Sequence, residues 1–190
     1  MRRIDLVVGS NGSGKSTFVE LNLAPQVPGS VFVNADVIAK QRWPADPEVH
    51  SYEAARIAAA TRDALISSGR SFIAETVFSH PSKLELLTSA QKSGYTVAVH
   101  VLLIPEDMAV ERVRNRVAAG GHHVPEDKIR ERFRRLWSLV AVAMARADTA
   151  RVYDNSQFTG PRIVAELSGG FVVGAAHLPE WAPEPLRAIC

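Results

Sequence analysis

The run Gly9-Ser10-Asn11-Gly12-Ser13-Gly14-Lys15-Ser16-Thr17 holds the strongest chemical signal in the chain. It satisfies G-x-x-x-x-G-K-[ST] in full, and it stands between an apolar run, Ile4 to Val8, and a helical pattern from Ser16 to Leu23. Glycines at 9, 12 and 14 let the backbone curl so that successive N–H groups point into one cavity. The dipole of the following helix adds partial positive charge there. In such a loop Lys15 is expected to reach the β- and γ-phosphates of ATP or GTP, and the Ser16 hydroxyl to ligate Mg²⁺. A dinucleotide fingerprint fits worse, because Gly12-Ser13-Gly14 lacks a third glycine at the required offset.

Ligands of open α/β sheets lie beyond the carboxyl ends of the strands. Two acids stand at such ends, Asp36 in VFVNADVIA and Glu75 in SFIAETVFSH. Phosphoryl transfer to a hydroxyl needs a base or an orienting acceptor, and a carboxylate near the metal. Asp36 is assigned to the base; the bland alternative is an N-cap for the segment starting at Val37. Glu75 is expected to hold Mg²⁺ through water or to contact substrate, against the alternative of a surface acid. Thr76, Ser79 and His80 follow on a loop facing the same crevice and are candidates to grip a polar substrate, although Ser79-His80-Pro81 also suits an ordinary turn.

The third feature is GGHHVPEDKIRERFRR, residues 120–135. From Glu111 to Arg135 eight basic residues face four acidic ones, whereas the whole chain has 22 Lys+Arg against 20 Asp+Glu. A metal site is disfavoured, because adjacent residues such as His122 and His123 point apart in most backbones, and no Cys or spaced His supports them. A nucleic-acid patch is disfavoured too: one local cluster on a nearly neutral chain, without interleaved aromatics, is not an electrostatic footprint. A solvated helix face explains part of the charge, since Arg130 and Arg134 share a face and Glu131 pairs with Arg135. The preferred reading is a lid over about 116–135, hinged at Gly120-Gly121, that brings arginine to a transferring phosphoryl group and excludes water. Arg116 is the first candidate, with Arg130 or Arg132 as the second.

These residues need a frame. Short β-rich runs (Ile4–Val8, Val31–Asn34, Ser71–Ala74, Tyr95–Ile104, Ala150–Tyr153) alternate with helical patterns. That predicts an α/β fold, a three-layer P-loop architecture with a mostly parallel five-stranded sheet and a helical lid. At 190 residues and 46% hydrophobic content, one domain spanning 1–190 is expected. Its last part, about 161–190, reads as a hairpin through Ser168-Gly169-Gly170 and a tail too proline-rich for a helix. The single cysteine, Cys190, excludes an internal disulfide and suits a reducing compartment. Asp5 and Gly9 interrupt any signal-peptide core, and no apolar run approaches membrane-spanning length, so a cytoplasmic protein is expected.

The ordered set GSNGSGKST, NAD at a second strand, ET at a third, a basic lid and a late VYDNS resembles the zeta-toxin family of P-loop kinases, from about Ile4 to Ser156. Known members phosphorylate a sugar hydroxyl of UDP-N-acetylglucosamine with ATP or GTP. The resemblance implies Lys15 and Ser16 at phosphate and Mg²⁺, Asp36 as base, Glu75 beside substrate and Arg116 as a lid arginine. It also implies Asp154 and Asn155 near the nucleotide base, and a protein antitoxin as a candidate partner. The expectation is a small-molecule kinase. A metabolite or antibiotic kinase is the alternative, and a nucleotide-sensing NTPase that switches a partner protein is the alternative of another class.

Overall fold

The computed structural model describes residues 2–118 and 124–190. Alternation of side chains sets the two faces of the sheet. In β1 (Arg3–Gly9), Ile4, Leu6 and Val8 enter one apolar cluster and Val7 another. In β4 (Thr96–Leu103), Val97, Val99, Val101 and Leu103 join the first cluster, Leu102 the second. A period of two with both sides buried is what a central strand requires.

The larger cluster is covered by α3 (Ser51–Ser67), α4 (Ser82–Lys92), α5 (Glu106–Ala118) and α6 (Glu126–Arg146). The smaller is covered by α1 (Lys15–Phe18), which continues as a π-helical stretch, Val19–Leu23, and a 3₁₀ turn, Ala24–Gln26. Beneath α1 the sheet carries a buried polar group. His100 Nε2 meets Asp5 Oδ1 at 2.8 Å, Arg3 bonds both Asp5 oxygens at 2.6 and 2.8 Å, and the Phe18 ring lies 5.7 Å from the imidazole.

Strands β2 (Val31–Val33), β3 (Phe72–Thr76) and β5 (Thr149–Asp154) complete the parallel part, in the order β2-β3-β1-β4-β5. The strand count differs from the five expected. β6 (Arg162–Ser168) pairs antiparallel with β5, and β7 (Phe171–Val172) with β6, giving seven. The hairpin's local pattern shows two strands but not what they dock on; the open edge of β5 supplies that.

The C-terminal segment also differs from expectation. Glu184–Arg187 forms a short helix, α7, packed against α6, with Leu186 fully buried. Pro183 and Pro185 sit at its start, where the missing N–H groups would be unpaired in any case. Among the described residues no helix is long and apolar enough to cross a membrane.

The chain order reverses at β1, which lies between β3 and β4. In register, Glu75 lies beside Val7 and Thr76 beside Val8, so the end of β3 flanks the start of the glycine loop. Helix α2 (Ala35–Arg42) begins directly beyond β2. The crevice at such a switch point is where ligands of α/β sheets bind.

Candidate active site

The glycine loop is held from both sides. Gly12 and Gly14 have φ of 76° and 86°. A Cβ on Gly12 would lie 2.8 Å from the Ala109 carbonyl of α5, and one on Gly14 would lie 2.6 Å from Asn155 Nδ2. No other residue type fits either place. Asn155, past the end of β5, donates from Nδ2 to the Ser13 carbonyl at 2.8 Å. It thus braces the loop from behind and is not among the residues lining the cleft.

Lys15 Nζ folds back to donate to the Ser10 carbonyl at 2.8 Å. Burial pushes its ammonium below the usual lysine range; the carboxylates of Glu75 and Asp36 draw it back up, and Arg116 presses it down. Four charges from four parts of the chain therefore act on one another here. Ser10 Oγ, Asn11 Oδ1 and Ser13 Oγ are buried without a partner among the described residues. Polar atoms left so in a loop are costly unless a ligand or water engages them.

The strand ends add a chain of hydrogen bonds. Ser16 Oγ donates to Glu75 Oε2 at 2.9 Å, and Asn34 Nδ2 donates to the same oxygen at 2.6 Å. Asn34 is also the N-cap of α2: its Oδ1 accepts from the backbone N–H of Asp36 at 2.7 Å and of Val37 at 3.3 Å. The cap considered for Asp36 therefore belongs to Asn34, two residues earlier. Asp36 stands exposed in the first turn of α2, its carboxylate free of capping duty.

A cleft of about 800 Å³ opens over this arrangement. Asn11, Gly12, Gly14, Lys15, Ser16 and Thr17 line it from the loop, and Asp36, Glu75, Thr76 and Ser79 from the strand ends. Arg116 of α5 and Arg132 of α6 line it from the far side, so these predicted residues do converge. Gly9, Ser10 and Ser13 lie beneath the loop surface.

Besides Asn155, expected near the nucleotide base, and the three loop residues beneath the surface, two predicted residues are not brought to the cleft. His80 Nδ1 accepts from the Ser82 N–H at 3.2 Å and lies 2.9 Å from Ser82 Oγ, which ties it to the start of α4. Arg130 reaches Glu126 and Asp107 at 2.9 Å and Glu106 at 3.3 Å, and these hydrogen bonds raise its pKa further. It joins α6 to α5 on the face away from the cleft, whereas Arg132, two residues on, points inward. Gly120, Gly121, His122 and His123 lie outside the described residues.

The cleft also holds residues that sequence reasoning did not single out: Asn34, Arg62, Lys83, Arg112 and Lys128. Asn34 had a signal, since asparagine is a leading cap ahead of a helical run. Arg112 shares the Arg116 face at i, i+4. Arg62 and Lys83 had none, because only the tertiary fold brings them to one cleft.

A glycine–lysine–serine loop at the switch strand, its serine bonded to a carboxylate on the next strand, defines a P-loop kinase site on this fold. The family is then given by comparison. The profile of the zeta toxin family matches residues 2–159, and the chain belongs to that family.

A curated relative, an uncharacterized protein of Haemophilus influenzae, is 29% identical over 126 residues, 66% of this chain and 88% of the relative. Among solved structures, the AvrRxo1-ORF1:-ORF2 complex with ATP has a TM-score of 0.71 at 17% identity. This chain matches it over 91% of its own length but spans only 60% of that chain. A structure from the PezAT chromosomal toxin-antitoxin system of Streptococcus pneumoniae has a TM-score of 0.63 at 14% identity, over 87% of this chain and 72% of that one. Shikimate kinase from Acinetobacter baumannii, in complex with shikimate, has 0.51 at 17%, over 75% and 80%. At these identities the likeness is one of fold.

Proposed function

We propose that the protein transfers the γ-phosphoryl group of ATP or GTP to a hydroxyl of a small molecule, with a UDP-sugar as the first acceptor to try. The observation that carries this reading is the bond from Ser16 to Glu75, with Asp36 in the same cleft. A metal-bound phosphate and an acceptor base then have separate places.

The residues fit the groups this chemistry needs. The buried Lys15, the unpartnered polar atoms of the loop and the glycine backbone suit a triphosphate. Ser16, with Glu75 behind it to orient water, suits Mg²⁺. When bound, the cation neutralises charge on the β- and γ-phosphate oxygens. In this reading Lys15 turns from the Ser10 carbonyl to the phosphates, and Asp36 accepts the proton of the acceptor hydroxyl. Arg116 and Arg132 meet the charge on the transferring group as a lid around 116–135 closes and keeps water out.

The required nucleotide supply is that of the cytoplasm. A protein antitoxin, such as the one named with PezAT, is the corresponding proposal for a partner. The test is incubation with γ-labelled ATP and UDP-sugars, nucleosides, aminoglycosides and other metabolite alcohols. A labelled acceptor is the expected result. Hydrolysis with no labelled acceptor would overturn the transfer reading in favour of a nucleotide-driven switch.

A further inference from the structure

Asn155 was expected beside the nucleotide base, yet it stands behind the glycine loop and does not line the cleft. The backbone around it fixes its place. The Asn155 N–H donates to the Leu103 carbonyl at 2.9 Å, which carries the β4–β5 ladder one residue past Asp154. The next N–H, of Ser156, donates to Asp154 Oδ1 at 3.0 Å. Asp154 is itself buried, with Arg162 of β6 3.6 Å from its other oxygen. From this anchored position Asn155 Nδ2 donates across to the Ser13 carbonyl at 2.8 Å. The Ser13 hydroxyl, by contrast, has no partner among the described residues.

What that bond holds is the orientation of one peptide. In a trans peptide the C=O of one residue and the N–H of the next point to opposite sides. Drawing the Ser13 carbonyl to Asn155 therefore turns the Gly14 N–H away from Asn155, toward the side on which Gly14 lines the cleft. That N–H meets no protein acceptor among the described residues. The peptide needs a hold, because glycine at φ 86° exchanges one backbone conformation for another at little cost. Rotating it would put a carbonyl oxygen where an anion requires a donor.

We propose that Asn155 is a positioning residue for the triphosphate. It holds the Ser13–Gly14 peptide with its N–H toward the phosphates, and so acts on a polyphosphate whatever base is attached. This deepens the nucleotide part of the kinase reading and rests on it.

The experiment uses the full chain with Mg²⁺, the non-hydrolysable analogues AMP-PNP and GMP-PNP, and inorganic tripolyphosphate, which has no base. Calorimetry compares wild type with Asn155→Ala and with Asn155→Leu, which keeps the side chain's size without its donor. Both variants should weaken all three ligands by one common factor, about tenfold or more. The ratio of AMP-PNP to GMP-PNP affinity should stay that of wild type. In the wild-type protein, tripolyphosphate should shift the Gly14 amide signal in the NMR spectrum and slow its exchange with solvent.

Tripolyphosphate affinity left at the wild-type level in the variants would overturn the proposal. With AMP-PNP alone weakened, Asn155 reads the base; with only the Tm lowered, it is structural. A Gly14 amide that tripolyphosphate leaves unmoved overturns it too, and that measurement needs no variant. Wild-type protein that binds none of the three ligands fails the nucleotide reading itself, and the proposal with it. The transfer reading fails separately, on the labelled acceptor.

Discussion

Glu75 receives two donors on one carboxylate oxygen, from Ser16 and Asn34, while among the described residues no hydrogen bond reaches the Asp36 carboxylate. That asymmetry suits the different roles proposed for the two acids, Glu75 beside the metal and Asp36 as base. Asp36→Asn should therefore lower the transfer rate by about 10²–10⁴ while Mg²⁺·AMP-PNP affinity stays near wild type. Single-turnover kinetics and calorimetry read the two halves, and transfer at full rate would remove Asp36 as base.

Lys15 gives a pH dependence. Phosphate favours its protonated form, and burial has lowered the pKa of the free protein, so binding must re-protonate it once pH passes that value. Affinity for the analogue should fall with rising pH, starting below the ordinary 10.5. Lys15→Arg, charged to pH above about 12, should abolish that fall. The phosphate loop was readable from sequence because its residues are contiguous and their spacing is the mechanism. Arg62 and Lys83 were not, because they stand 21 positions apart in the chain and only the tertiary fold brings both to one cleft.

Helix starts and helix faces decide the remaining roles. Asn34 caps α2 and fixes Glu75 together, so one side chain sets both the entry of the helix and the carboxylate at the loop. Asn34→Ala should cost about 1 kcal/mol in denaturant unfolding, from the lost cap alone. It should also raise the Mg²⁺ concentration needed for half-maximal transfer, because Glu75 loses a donor; a stability loss with unchanged Mg²⁺ dependence would separate the two roles.

The basic helix α6 shows the limit of reading charge from spacing. Periodicity puts Arg130 and Arg134 on one face and Arg132 on another, and the structure agrees: Arg130 and Arg134 both reach Glu106. Which face meets the cleft depends on how α6 lies on α5, a tertiary fact. Arg132→Ala should lower kcat more than it raises KM for ATP. Arg130→Ala should instead lower Tm, with the larger part of kcat retained.

The molecule as a whole is a parallel sheet completed by an antiparallel edge. The parallel core was clear in the strand–helix alternation; the seven-strand total was not, because docking of β6 on β5 leaves no local mark. Under α1, burial would raise the pKa of Asp5, but the hydrogen bonds from His100 and Arg3 outweigh it and hold the carboxyl below 3.8. A depressed carboxyl contributes stability above its unfolded value that is lost as pH falls through the folded one. Unfolding free energy should thus decline as pH drops below 3.8, and Asp5→Asn should flatten that limb in denaturant titrations at a series of acid pH values.

The two rims of the sheet are short: three residues in β2 and two in β7. A foreign strand laid on either rim would find only a few backbone donors and acceptors, too few to seed fibrous stacking. Crowding at high expression therefore meets a molecule with little template for polymerisation. A binding protein is expected to grip it through side chains and helices rather than by lengthening its sheet.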